Sequence, residues 1–210
     1  IIGDSISIGY TPEVVASLQD QVFVSRANAN CGDTSRGLVA LDNWLGNTNW
    51  DVIHFNWGLH DLCYRSEKSK MVGNRDKING QQSVHLTQYI QNLEKLVARL
   101  KKSGAKLIWA TTTKVPNGEP GRHAGDEIKY NQAAKKIMIK HGIAINDLHK
   151  LSSSIDAQSS SSKKSHDLVL WQRFKRSDAS LPLHVHIKGV CQCDGLFFIY
   201  AIYSAPVPPR

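Results

Sequence analysis

Short apolar runs alternate along this chain with stretches whose apolar residues recur at helical spacing. The first run, Ile1-Ile2, breaks at Gly3-Asp4-Ser5. Such a break reads as a buried strand that delivers a hydroxyl to the carboxyl edge of a sheet, where open α/β sheets place their ligands. Pro12 to Leu18 predicts a short helix, and Val22-Phe23-Val24 a second strand. A polar loop from Asn28 to Asp33 follows, and Thr34 is placed to cap a helix through Leu38, Leu41 and Leu45. Asp51 to Trp57 reads as the third strand, ending at Gly58-Leu59-His60-Asp61. A long polar segment, Leu62 to Gln81, has the length of a substrate-binding loop. Helical spacing returns at Tyr89, Leu93, Leu96, Val97 and Leu100 and stops at Ser103-Gly104. Leu107 to Thr112 is the fourth strand, Val115 to Gly125 a Pro- and Gly-rich loop, Tyr130 to His141 a helix, and Ile143 to Ile145 a short fifth strand.

Strands alternating with amphipathic helices at this spacing predict a parallel sheet covered by helices on both faces. The alternation is regular over residues 1–150, which reads as one α/β domain. From about residue 151 the character changes. Serine runs at 152–154 and 159–162 lead into an apolar, basic tail ending Pro206-Val207-Pro208-Pro209-Arg210. Residues 151–210 are therefore expected to form an irregular C-terminal segment.

Composition narrows the function classes. No apolar stretch approaches the roughly 20 residues that a membrane-spanning helix needs, so no membrane partner is expected. The net charge of +8 would suit nucleic acid. The lysines, however, are spread along amphipathic helices as on a solvated face, and no nucleic-acid partner is expected. Cys191-x-Cys193 lacks a second pair at metal-site spacing and Cys31 and Cys63 stand alone in sequence, so the cysteines form no zinc pattern. A chain that starts at Ile1 without Met, on a strand of two or three residues, is expected to lack an upstream piece. Any signal peptide would have gone with it, which leaves localisation open. Nothing in the chain sets an oligomeric state.

Three of the strand ends carry small or polar residues: Gly3-Asp4-Ser5, Cys31-Gly32-Asp33 and Gly58-Leu59-His60-Asp61. In a parallel sheet these ends lie side by side, so Ser5, Gly32 and His60 should converge. Acyl transfer from a serine needs such convergence, with a nucleophilic oxygen and N–H donors aimed where the oxyanion forms. Ser5 reads either as that nucleophile or as a helix cap in a strand-to-helix turn.

These blocks resemble the SGNH (GDSL) hydrolase superfamily, in its esterase branch with a flavodoxin-like fold. The resemblance runs from Ile1 to about His149 and includes Trp109-Ala110-Thr111-Thr112-Thr113 and Tyr130-Asn131. It is nearest to planctomycete and related bacterial members, some of which carry His where the commoner pattern has Asn, as at His60. It implies an α/β three-layer sandwich with a central parallel sheet, Ser5 as nucleophile, and the Ser5 amide, Gly32 and His60 as the oxyanion hole. A neutral imidazole has one N–H, and the bond made by its other nitrogen decides which one carries it. Asp61 or a backbone carbonyl could fix that tautomer, and a structural His at the sheet edge is the alternative. Cys31 and Cys63 flank two of the blocks, so they are expected either to form a disulfide clip, which would fit a secreted or periplasmic protein, or to be buried free thiols.

The superfamily's C-terminal Asp-x-x-His, which supplies the general base, is not recognisable. Asp51-Val52-Ile53-His54 has the spacing but lies within a strand. The tail offers His166, His184 and His186, with Asp167, Asp178 and Asp194 as partners, none at the family spacing. His184 with Asp178 is the first choice. Trp171 to Ala179 lies where the block belongs, and a disturbed reading frame there would account for the tail's composition. The expected function is a serine esterase hydrolysing a small, acetyl-like ester through an acyl-enzyme on Ser5, which implies no metal or organic cofactor. The substrate would be a small molecule or a carbohydrate ester, the sugar resting on the family's habits. Trp57, Tyr64 and Arg122 are candidate lining residues. The rivals are a catalytically impaired domain that binds carbohydrate or a protein partner, and a flavodoxin-like mononucleotide binder.

Overall fold

The computed structural model of the chain describes residues 1–19, 21–161, 184–193 and 196–204. Its centre is a parallel sheet of β1 (Val52–Phe55), β4 (Lys106–Ala110) and β5 (Ala144–Asn146), in the order β1-β4-β5. Val52 pairs with Lys106, and Ile108 with Ala144. The N-terminal residues extend this sheet beside β1. Ile2 N donates to His54 O (2.9 Å) and Asn56 N to Ile2 O (3.0 Å), which makes Ile2 and Phe55 a parallel bridge. On the outer side, Ile1 N donates to Ser25 O (2.7 Å) and Ala27 N to Ile1 O (3.0 Å). Five rows therefore run in the order 25–27, 1–2, β1, β4, β5, the flavodoxin-like order.

Right-handed crossovers then dictate the layers. The connection α1 (Ser5–Leu18) steps from row 1–2 toward one edge. α2 (Thr34–Leu45), α3 (Leu86–Lys101) and α4 (Asp126–Lys140) step the other way and so share the opposite face. α2 packs on α3 and α3 on α4. α5 (Leu148–Ser161) follows β5. The sequence expectation of a three-layer α/β sandwich holds. Among its largest fully buried side chains are Phe55, Trp57, Trp109 and Tyr89, and each such side chain contributes about 1.5–3 kcal/mol through the area it removes from water.

Local details depart from the sequence expectations. Val22 to Val24 is not a strand; Phe23 is 87% exposed, and pairing begins only at Ser25. As an outermost row, this segment has one neighbour at most, so nothing holds it extended before it reaches Ile1. α1 starts at Ser5, well before Pro12, because Asp4 caps it by accepting from Ile6 N (3.0 Å). Likewise α2 is capped by Asp33, which accepts from Arg36 N (2.9 Å), while Thr34 is its first helical residue. The long polar segment carries β2 (Tyr64–Arg65) paired antiparallel with β3 (Gln81–Gln82). In the tail, β6 (His184–Cys193) and β7 (Leu196–Ser204) form an antiparallel hairpin against α1 and α5, an element the sequence pattern did not announce.

His54, the strand histidine with the misleading Asp-x-x-His spacing, is a structural bridge. Its ring nitrogens lie 3.4 Å from Tyr10 Oη and 3.2 Å from Asn146 Nδ2. Desolvation lowers its pKa from 6.5 to about 4. The unfolded chain thus binds a proton over this window that the folded chain refuses, and the contribution to stability is lost as pH falls from about 6.5 to about 4. His54→Gln should flatten that slope by on the order of 1–3 kcal/mol, read from urea midpoints at several pH values. An unchanged slope would overturn this account.

Candidate active site

The three strand-end turns are joined by direct hydrogen bonds. Cys31 N donates to Gly3 O (3.1 Å), which sets the second turn against the first. Thr34 N (2.9 Å) and Thr34 Oγ1 (2.5 Å) both donate to Asp61 Oδ1, which sets the second against the third. Ser5, Gly32 and His60 are thus carried by one hydrogen-bonded cluster at the carboxyl edge of the sheet.

The first turn is held from below. Ser7 Oγ donates to Asp4 O (2.7 Å), and the Arg26 guanidinium donates to Ser7 Oγ (3.0 Å), Gly3 O (3.2 Å) and Ala29 O (2.7 Å). Asp4 is 5% exposed and does the capping, so the Ser5 hydroxyl, on the first residue of α1 and half-buried, has no capping duty. Of the two readings of Ser5, the cap is therefore excluded by geometry.

The second turn needs a glycine, since Gly32 has φ +60. Its N–H donates to Asn30 Oδ1 (3.0 Å). An oxyanion at that amide would take the place of the Asn30 carbonyl, and a side chain two residues away can rotate aside.

In the third turn Leu62 N donates to Gly58 O (3.0 Å). His60 follows, half-buried. Its pKa is lowered, first by desolvation and then by the Arg122 and Arg65 guanidiniums, against the raising effect of Asp4. Near neutral pH the ring is therefore neutral, with a single N–H to offer. Asp61 does not fix its tautomer, contrary to one sequence expectation: its Oδ1 is committed to Thr34 and its Oδ2 has no partner among the described residues.

Of the two expectations for Cys31 and Cys63, the structure has the second: both are free and buried. The Cys31 thiol faces Ala29 O (3.8 Å) and that of Cys63 faces Tyr64 O (3.7 Å), so the two loops are clipped by Asp61 and Thr34 rather than by a disulfide. Trp57 is 1% exposed and belongs to the core, not to a cleft wall. Arg122 is 8% exposed, donates to Leu59 O (2.7 Å) and pairs with Glu119 (2.8 Å), so it braces the third turn and is not free to grip a ligand. Tyr64 is half-buried, edge-on to His123 with centroids 5.0 Å apart.

Glu119 is a feature the sequence did not flag. Its carboxylate binds Arg75 (3.2 Å), Arg122 (2.8 Å) and Gly121 N (2.7 Å), while its carbonyl accepts from Lys77 Nζ (2.8 Å). Tyr64 N donates to Gly121 O (2.7 Å) and Lys77 N to Pro120 O (2.9 Å). Segments 62–81 and 115–125 therefore form one unit beside His60. Among the described residues no group of three His, Cys, Asp or Glu side chains could hold a metal ion. His184 heads β6, paired with Ser204. Asp178 and the stretch Trp171 to Ala179 lie outside the described residues.

No curated protein matches the chain. Among solved structures, the acetyl xylan esterase AlAXEase is similar at 16% identity and a TM-score of 0.61, with 76% of this chain and 82% of that chain covered. An acetylxylan esterase from Geobacillus stearothermophilus is similar at 16% identity and a TM-score of 0.57, with 74% and 78% covered. The lipase/acylhydrolase from Enterococcus faecalis is similar at 20% identity and a TM-score of 0.53, with 75% and 80% covered. At such identities the likeness is one of fold. The model of the GDSL-like lipase/acylhydrolase family matches residues 1–185, and the chain accordingly belongs to that family of hydrolases.

Proposed function

We propose that this hydrolase is a serine esterase acting on small acyl esters, acetyl above all, through an acyl-enzyme on Ser5. The observation that carries the reading is the hydrogen-bonded union of the three turns, Cys31 N to Gly3 O (3.1 Å) and Thr34 N to Asp61 Oδ1 (2.9 Å). It puts a hydroxyl without a structural duty in the same cluster as the Gly32 amide and a neutral imidazole. Ser5 Oγ attacks the ester carbonyl carbon and its proton passes to a base. The oxyanion is held by the Ser5 and Gly32 amides and the His60 N–H. Collapse expels the alcohol, which takes the proton, and water then hydrolyses the acyl-enzyme by the same route. His184, with Asp178 as its orienting carboxylate, is our assignment for the base.

The acetyl group fits the acetyl xylan esterases among the similar folds, and a carbohydrate alcohol follows from the same source. The unit built on Glu119 would border the alcohol side, with Tyr64 the aromatic surface it offers.

The test is covalent. A para-nitrophenyl alkylphosphonate should release one equivalent of nitrophenol and add the phosphonyl mass to the peptide containing Ser5. No adduct on that peptide would sink the esterase reading and favour the rival, a binding domain whose Gly32 amide stays closed by Asn30.

A further inference from the structure

The loops bearing Gly32 and His60 leave different rows of the sheet. An oxyanion hole works only when its donors stand about 2.7–3.1 Å from the position of the forming charge. Something must set the separation of these two loops. Asp61 follows His60 directly, and Thr34 lies two residues after Gly32. Both are 0% exposed. Asp61 Oδ1 accepts from the Thr34 amide (2.9 Å) and the Thr34 hydroxyl (2.5 Å). Thr34 is braced in turn from α3 by Asn92 Nδ2 (3.1 Å). The backbone around Asp61 is held on both sides, by Val84 N on Asp61 O (2.9 Å) and by Arg122 Nε on Leu59 O (2.7 Å).

We infer that the Asp61 carboxyl is a positioning residue, the tie that fixes His60 relative to the Gly32 amide in ester hydrolysis. This role rests on the esterase reading above.

The energetics favour a task of this kind over a contribution to stability. A buried carboxyl is costly to desolvate. Burial raises Asp61 to about 7 against the opposing Thr34 bonds, and its Oδ2 has no partner among the described residues. The charged and titratable groups that face it are Asp33 on the second turn, Tyr89 on α3 and Tyr130 on α4. None is a cation that would offset a carboxylate.

The experiment compares kcat and KM for para-nitrophenyl acetate among the wild type, Asp61→Asn, Asp61→Ala and Thr34→Val, with Ser5→Ala as background. Asp61→Ala cuts the tie, and kcat should fall about 10- to 100-fold with KM within about twofold. Asp61→Asn keeps an oxygen that can accept both bonds, and should retain kcat within about threefold. Thr34→Val removes the hydroxyl bond and keeps the amide bond. It should fall between them, which preserves the test if Asp61→Ala does not fold.

Full kcat in Asp61→Ala, or in Thr34→Val should the alanine variant not fold, would overturn the positioning role. So would a loss in Asp61→Asn as large as in Asp61→Ala. In either case Ser5-dependent turnover by the wild type would leave the esterase reading standing. Wild-type turnover no faster than Ser5→Ala would remove the reading and this role together.

Discussion

Replacing Ser5 by alanine is expected to cut ester turnover by roughly a thousandfold or more, down to the residual rate that an oxyanion hole and binding provide. The fold should not notice. Asp4 caps α1 by bonding Ile6 N (3.0 Å), so the helix start does not depend on the Ser5 hydroxyl. The Arg26 bonds to Gly3 O and Ala29 O hold the turn without it. Alanine also suits a helix well, and a substitution of this kind usually stays within about 0.5 kcal/mol. Nitrophenyl acetate kinetics with matched urea unfolding curves check both halves. Equal rates in the two proteins would exclude Ser5 as nucleophile, and loss of stability would mean that the turn needs the hydroxyl after all.

Gly58→Ala should damage stability and turnover together. A Cβ at residue 58 would stand 2.0 Å from Thr112 Oγ1. The backbone there has φ +156, which side-chain-bearing residues rarely adopt. Strain of about 1–3 kcal/mol adds to an overpacking cost of about 1–3 kcal/mol, so a destabilisation of about 2–6 kcal/mol is expected. Thr112 is fixed in place, its N–H donating to Asn131 Oδ1 (2.8 Å) and its carbonyl accepting from Asn131 Nδ2 (2.8 Å). With the Thr112 backbone held, relief comes from turning its side chain off Trp57 O or from moving residue 58, and the second displaces His60 and lowers kcat as well. Urea unfolding and kinetics measure the two effects. Adding Thr112→Ala should recover the steric part and leave the φ part, whereas full recovery would show that the backbone conformation carries no cost.

The two glycines also mark what was readable in advance. Gly58 stands where a run of apolar residues stops and Gly32 lies in a polar loop, so the sequence pointed to both turns without disclosing their torsions. The helix α3 was legible from Tyr89, Leu93, Leu96, Val97 and Leu100, all fully or nearly fully buried. Long amphipathic segments state their own face and period. Val22-Phe23-Val24 misled for the opposite reason. Three β-prone residues look the same whether or not a partner strand reaches them, and here Phe23 faces solvent. Trp57 misled in a similar way, since an aromatic at a strand end fits a cleft wall as well as a core.

The alternation of strands and helices, the order of the three blocks and the chemistry each could offer are legible in the residues alone. Those properties are local, written in apolar periodicity and in single residue types. Folding in three dimensions set that Asp4 rather than Ser5 caps α1, that Asp61 answers Thr34 rather than His60, that Arg122 is held by Glu119, and that Cys31 and Cys63 stay free thiols. Most buried donors find an acceptor, and which one each finds depends on chain segments many residues away coming within about 3 Å. That pairing is a property of the folded chain as a whole, and no local pattern encodes it.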